Sequence, residues 1–260
     1  METKHQNGSN QSLKNHKVVS TEEWIEARKQ LLKKEKELTR LNDRINEERR
    51  SLPWEKIDKD YVFDTPTGKE TLFDLFEGRS QLIIKHFMFA PEWKEGCVGC
   101  SFGADHIDGA NLHLKHHDVT VVAVSRASLA QIELFKKRMG WQFKWVSSQE
   151  NDFNYDFHVS CTKEDLEKGQ VYYNYNMLPA ESEEMPGISV FYKDDNGNIY
   201  HTYSTFARGD EKLVGAYMFL DLTPKGRNET GANGNLMDWV KHHDKYDADS
   251  HIKNNSCCEH

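Results

Sequence analysis

Leu82-Ile83-Ile84-Lys85-His86-Phe87-Met88-Phe89 is an apolar run broken only by Lys85 and His86, and Ala90-Pro91-Glu92-Trp93-Lys94-Glu95-Gly96 follows as a short loop into Cys97-Val98-Gly99-Cys100. A run of this length and character reads as a central strand covered on both faces. The next stretch, 101–115, places Phe102, Ile107, Ala110 and Leu114 at helical spacing. The order is therefore buried strand, loop, Cys-x-x-Cys, helix. That order sets a pair of thiols at a helix N-terminus, where a thiolate is stabilised.

Composition bounds the alternatives. The chain has 260 residues and a formal net charge of −8, enough for one sizeable domain with appendages and unsuited to a nucleic-acid partner. Residues 1–19 are polar and lack an apolar core, so they read as a disordered leader and not as a secretory signal. No apolar run approaches the ~18 residues of a membrane span, and a cytoplasmic location is expected. The five cysteines, Cys97, Cys100, Cys161, Cys257 and Cys258, are too few and too unevenly spaced for a disulfide framework. No cofactor is implied.

Outward from the motif, Ser20 with Glu23 forms a capping box that starts an N-terminal helix over 20–53. Trp24, Ala27, Leu31, Lys34, Leu38, Leu41 and Ile45 alternate by three and four along it. This narrow stripe either lies across the body or pairs with a second chain as a homodimer contact. The strand of the motif, 119–124 and 141–146 alternate with helices, the second of them 128–139 closed by Gly140, and imply parallel pairing. Asn196-Gly197 between 187–192 and 198–203 marks a hairpin, and a last helix is expected over 211–220. The aromatic-rich 149–185 reads as an insertion with little regular structure that partly covers the site. The sum is an α/β, thioredoxin-like mixed sheet over 54–228, with an added N-terminal helix and a C-terminal extension over 229–260 whose end is disordered.

The candidate chemistry lies at Cys97 and Cys100. Cys97, at the first helical turn, suits the attacking role, and Cys100, one turn further in, suits resolution of a mixed disulfide. Lys94 favours the Cys97 thiolate while Glu92 and Glu95 oppose it. Trp93 and Trp141 are wall candidates. Arg126 ends a parallel strand at its carboxyl edge, where it meets either an anionic substrate group or a carboxylate such as Asp152. Pro186, ahead of a strand, is either a cis-proline facing the thiols or a plain loop proline. His113 with His117, and the His242-His243 pair, offer ligand-type side chains, but solvated histidines account for them and no metal site is assigned. Cys257-Cys258 reads as a tail pair, and Cys161 as an isolated thiol.

The segments Cys97-Val98-Gly99-Cys100-Ser101-Phe102 with Asp105, Lys137-Arg138-Met139-Gly140-Trp141, Asp152-Phe153-Asn154-Tyr155-Asp156-Phe157 and Trp239-Val240-Lys241-His242-His243-Asp244 together carry a resemblance. The chain resembles the bacterial "domain of unknown function 899" family of thioredoxin-like proteins over most of 18–246. The resemblance implies a thioredoxin-like fold and says little about substrate. A peroxiredoxin-like site would want Pro seven and Thr or Ser three residues before the attacking Cys. Ala90 and Lys94 stand there, with Pro91 one place late, which disfavours a dedicated peroxidase. The leading expectation is a thiol–disulfide oxidoreductase acting on an unidentified thiol or disulfide. The alternatives are a thiol-based soft-metal or metalloid binder and a non-catalytic scaffold that dimerises through the N-terminal helix.

Overall fold

The computed structural model describes residues 16–229, Gly231 and 237–246. Helix α1 (Thr21–Arg50) opens on the expected capping box: Ser20 Oγ accepts from the Glu23 N–H, and the Glu23 carboxylate accepts from the Ser20 N–H. Glu22 and Glu23 in its first turn and Arg49 and Arg50 in its last complement the helix dipole. Strand β1 (Glu55–Ile57) follows, then the hairpin β2 (Val62–Thr65) and β3 (Gly68–Thr71). The central run is β4 (Gln81–His86), α2 (Val98–Ala104), α3 (Ile107–His116), β5 (Val119–Ser125), α4 (Leu129–Met139) and β6 (Lys144–Ser147). Two short helices, α5 (Phe153–Asp156) and α6 (Lys163–Lys168), lead to the hairpin β7 (Gln170–Tyr173) and β8 (Asn176–Pro179). Strands β9 (Gly187–Lys193) and β10 (Ile199–Phe206), a 3-10 stretch (Ala207–Leu213) and α7 (Gly215–Leu220) complete the body.

The main sheet runs β1-β10-β9-β4-β5-β6-β2-β3. β4, β5 and β6 are mutually parallel, and β9 joins β4 antiparallel, with His86 facing Gly187. Every residue of β5 is buried, as a Val-rich strand with layers on both faces requires. A parallel strand–helix–strand unit followed by an antiparallel pair and a last helix, in the order β10-β9-β4-β5, is the thioredoxin-like fold. The Asn-Gly hairpin lies where expected: Asp194 Oδ1 accepts from the Asn196 and Asn198 N–H groups, and Gly197 supplies φ +83.

Two cores sandwich the sheet. On one face Phe87, Phe89, Cys100, Ile132, Phe135 and Trp145 pack together, and Phe102, Val214 and Tyr217 pack beside them. On the other, Leu82, Ile84, Val122, Val124 and Phe191 meet Phe153 and Phe157.

Three expectations need correction. The 149–185 segment is not irregular: it holds α5, α6 and the β7–β8 hairpin, and α6 has its own capping box (Thr162, Asp165) and a left-handed Gly169 stop. Its Phe153 and Phe157 cover the face of the sheet opposite the thiols, although Glu183 reaches the rim. The helix after Cys97 is interrupted between α2 and α3, where His106 Nδ1 donates to Phe102 O at 2.9 Å and Nε2 accepts from the Ala216 N–H at 3.0 Å. The last helix starts late, at Gly215, after the 3-10 stretch. Of the two readings of the α1 stripe, packing across the body is excluded, because no residue of α1 is buried. The body meets it at its C-terminal end, with the Arg49 guanidinium 4.8 Å over the Tyr203 ring. Among the described residues no helix is long and apolar enough to cross a membrane.

A candidate dithiol site at the carboxyl edge of the sheet

The loop between β4 and α2 is tied down along its length. Phe87 N–H donates to Val124 O, Ala127 N–H to Phe89 O and Cys97 N–H to Met88 O, at 2.9, 2.7 and 3.0 Å. The side chain of Gln131, in the first turn of α4, donates to Pro91 O at 2.8 Å. Gly96 can only be glycine here, since a Cβ would stand 2.6 Å from the Phe87 ring. The loop thereby delivers Cys97 to the N-cap of α2 in a non-helical conformation, where helix N–H groups lack backbone acceptors.

Cys97 Sγ uses that position. The Cys100 N–H donates to it across 3.4 Å. The Cys97 thiol is lowered to about 6, first by a hydrogen bond from the Cys100 thiol and then by the Cys100 and Gly99 amides and the charge of Lys85, which together outweigh burial. Cys100 moves the opposite way, well above the ordinary thiol range, because its proton is held by Cys97 and its site is buried. Its sulfur accepts from the Met88 N–H at 3.5 Å. One sulfur is poised as a thiolate and the other retains the proton.

Lys85 was not among the expected site residues. It is buried in β4 under α2, 3.5 Å from Asp210, with its ammonium 3.1 Å from where a Cβ on Gly103 would stand. The signal was available: a lysine inside an otherwise apolar strand must have a buried partner. Glu95, in contrast, is committed to Arg138 and Lys245 and does not oppose the Cys97 thiolate unshielded.

Trp93 and Arg126 are brought together through one carboxylate. Trp93 Nε1 donates to Glu183 Oε1 at 3.0 Å, and Arg126 Nη2 to Glu183 Oε2 at 3.3 Å. Arg126 also donates to the buried Glu184 at 2.5 Å and to the Tyr155 hydroxyl at 2.6 Å. Asp152 is not its partner, being bonded to Lys59 at 3.0 Å. Burial pushes the Glu184 carboxyl up to about 7 against the pull of Arg126 and of the Ser160 hydroxyl. Pro186 directly precedes Gly187, which pairs with the last residue of β4, and its carbonyl accepts from the Tyr173 hydroxyl at 2.6 Å. Its peptide bond is trans, so the cis reading fails. Trp141 lies in the core below, and its Nε1 donates to Asp105 at 2.8 Å.

Residues 237–246, within the C-terminal extension, form a strap over the loop. His242 is buried, stands edge-on to Phe135, and shares a 2.9 Å hydrogen bond between Nε2 and Gly96 O. His243 Nδ1 meets Asp105 at 2.7 Å, and Asp244 receives Arg138. The Met237 side chain lies against Gly99, within 3.4 Å of where its Cβ would be. His242 thus holds the thiol loop, and His243 holds the C-terminal end of α2. Cys257 and Cys258 lie outside the described residues, and Cys161 is a buried thiol raised to about 11 by burial.

A separate polar chain crosses the opposite face. His86 Nε2, Ser189 Oγ, Ser204 Oγ and His201 Nε2 are linked at 2.8, 2.8 and 2.7 Å, and His201 Nδ1 lies 3.3 Å from Glu55. A β-bulge between His201 and Tyr203 turns His201 and Ser204 to the same side. The chain ends in an open cleft of about 300 Å³ walled by Tyr61, Phe157, Tyr172 and Phe206.

Residues 13–246 match the bacterial family described as "Bacterial protein of unknown function (DUF899)". The chain belongs to that family. No curated protein matches it. Among solved structures, this DUF899 member is similar to a PrxQ mutant from Xylella fastidiosa, with 13% identity, TM-score 0.41, and 64% of this chain and 94% of that one covered. It is also similar to the peroxidoxin BcpB from Mycobacterium tuberculosis, with 12% identity, TM-score 0.42 and coverage of 63% and 94%. A putative thiol:disulfide interchange protein DsbE from Chlorobium tepidum is similar at 17% identity and TM-score 0.37, covering 64% and 97%.

Proposed function

We propose that the protein is a thiol–disulfide oxidoreductase acting through Cys97 and Cys100. The observation that carries the reading is the division of labour between the two sulfurs: Cys97 is an N-capping thiolate at neutral pH, while Cys100 is a buried thiol that donates to it. In the reducing direction the Cys97 thiolate attacks one sulfur of a substrate disulfide. A Cys97–substrate disulfide forms, and the other substrate sulfur leaves as a thiolate that takes up a proton. Cys100 then loses its proton and attacks Cys97 Sγ. The Cys97–Cys100 disulfide forms, and the second substrate thiol is released. The two electrons given to the substrate come from the Cys97–Cys100 dithiol, and an external dithiol must restore it. Trp93, Arg126 and Pro186 are proposed as the substrate-side rim, with Glu183 linking the first two.

The test is a redox titration of the full chain against glutathione with mass-resolved thiol counting, paired with disulfide-reduction assays. A two-electron Cys97–Cys100 couple, and loss of at least 100-fold in rate in Cys97→Ser, are expected. A pair that never forms a disulfide, or a Cys97→Ser variant of unchanged rate, overturns the proposal.

A further inference from the structure

Helix α1 presents its apolar stripe to solvent along its whole length: Trp24, Leu31, Leu38 and Leu41 are 59, 53, 57 and 43% exposed. The stripe repeats every 3.5 residues on average, the period that keeps a seam facing a second helix as the two supercoil. The helix is capped at its start and charge-matched at both ends, so its geometry does not depend on the body.

The charges beside the seam select the occupant. On one flank stand Glu23, Gln30, Glu37 and Arg44, and on the other Arg28, Glu35, Asn42 and Arg49. A parallel pair of identical helices would oppose Lys34 with Lys34 and Arg44 with Arg49, with one attractive type of contact, Glu23 with Arg28. An antiparallel pair can be set so that Trp24 faces Leu41 of the second copy, Ala27 faces Leu38 and Leu31 lies along the stem of Lys34. Small then meets large at Ala27. The flanks now oppose Glu23 with Arg44, Arg28 with Glu35, and Gln30 with Glu37, each twice by symmetry. No like charges face each other. Arg28 and Glu35 already bond within one helix at 2.7 Å, which shows that they share one flank.

We propose that α1 is an antiparallel dimerisation helix whose occupant is a second copy of this chain in that register. The bodies then extend from opposite ends of the helix pair, since each meets its α1 at the C-terminal end. The inference is independent of the redox reading.

Sedimentation velocity on the full chain at roughly 50 μM tests it. Twice the chain mass is expected for the parent and the monomer mass for Leu38→Glu, whose thermal unfolding should match the parent's body because α1 buries nothing in the monomer. Arg44→Glu separates the registers: it weakens the antiparallel dimer about tenfold or more, and adding Glu23→Arg restores the parent affinity. A monomeric parent, an unchanged mass in Leu38→Glu, or a tighter dimer in Arg44→Glu overturns the proposal.

Discussion

Replacing Cys100 with Ala should raise the titration midpoint of Cys97, because the thiol of Cys100 is the largest single contribution holding the Cys97 thiolate down. A hydrogen bond to a charged group contributes about 1.5–3 kcal/mol. At 1.36 kcal/mol per pH unit this is about one to two units, so the midpoint should move from about 6 to between roughly 7 and 8. The Cys100 and Gly99 amides remain, which keeps the shift from reaching the free-thiol value. At pH 6 the parent is about half thiolate, and the variant should alkylate about 5- to 50-fold more slowly there. Iodoacetamide rates at Cys97, followed by intact mass from pH 4 to 9, measure both midpoints. The sign carries over to stability: a folded pKa below the unfolded one stabilises the native state above the unfolded pKa, and that contribution is lost as pH falls through about 6. An unchanged midpoint in Cys100→Ala, or a parent midpoint near the free value of ~8.5, would refute the assignment of the thiol pair as a proton-sharing unit.

Three further outcomes are expected. His86 is held neutral by burial, its pKa lowered to about 3, while the unfolded chain protonates near 6.5; the native state should therefore lose about 2.7 kcal/mol from this group between pH 7.5 and 4.5, seen as a slope in urea midpoints that His86→Leu flattens. Arg126→Met strips the buried Glu184 of its cation and should destabilise the fold by about 3–5 kcal/mol at pH 8. Because a raised carboxyl pKa lets stability fall as pH climbs through about 7, that penalty should shrink at pH 5.5, and an equal penalty at both would contradict the pairing. His242→Ala removes the hydrogen bond to Gly96 O, worth about 1 kcal/mol, and leaves a void against Phe135, so amide exchange over 94–100 should quicken several-fold while the remote β2–β3 hairpin is unaffected.

The thioredoxin-like sheet was legible because its parallel strands are Val- and Ile-rich and its hairpin carries Asn-Gly, signals that local sequence holds on its own. The capping box and length of α1 were legible for the same reason. Lys85 was visible as an anomaly in β4, but its partner Asp210 lies 125 positions on, and no local rule joins the two. The same holds for Arg126: the residue was found, while its partners Glu183 and Glu184 come from a segment whose short helices and strands have too few residues to show a period. His242-His243 suggested metal ligands by residue type. What they do is set by tertiary packing, where an imidazole can bond a loop carbonyl as readily as it binds an ion.

The strap has a consequence for how the protein is made. Synthesis proceeds from the N-terminus, and domains assemble as their segments leave the ribosome. β4 and α2 emerge early, yet β4 lacks its neighbour β9 until residue 193 has been added, and Gly96 lacks His242 for some fifty residues more. During that interval Cys97 and Cys100 sit on a loop held by its bonds to Val124, Ala127 and Gln131 but without the clamp at Gly96. The dithiol therefore acquires its final geometry only after residue 242 has been added, and Cys97 in a nascent chain arrested between residues 193 and 237 should alkylate faster than in a chain that carries the strap, while Cys100 stays shielded by the core already made.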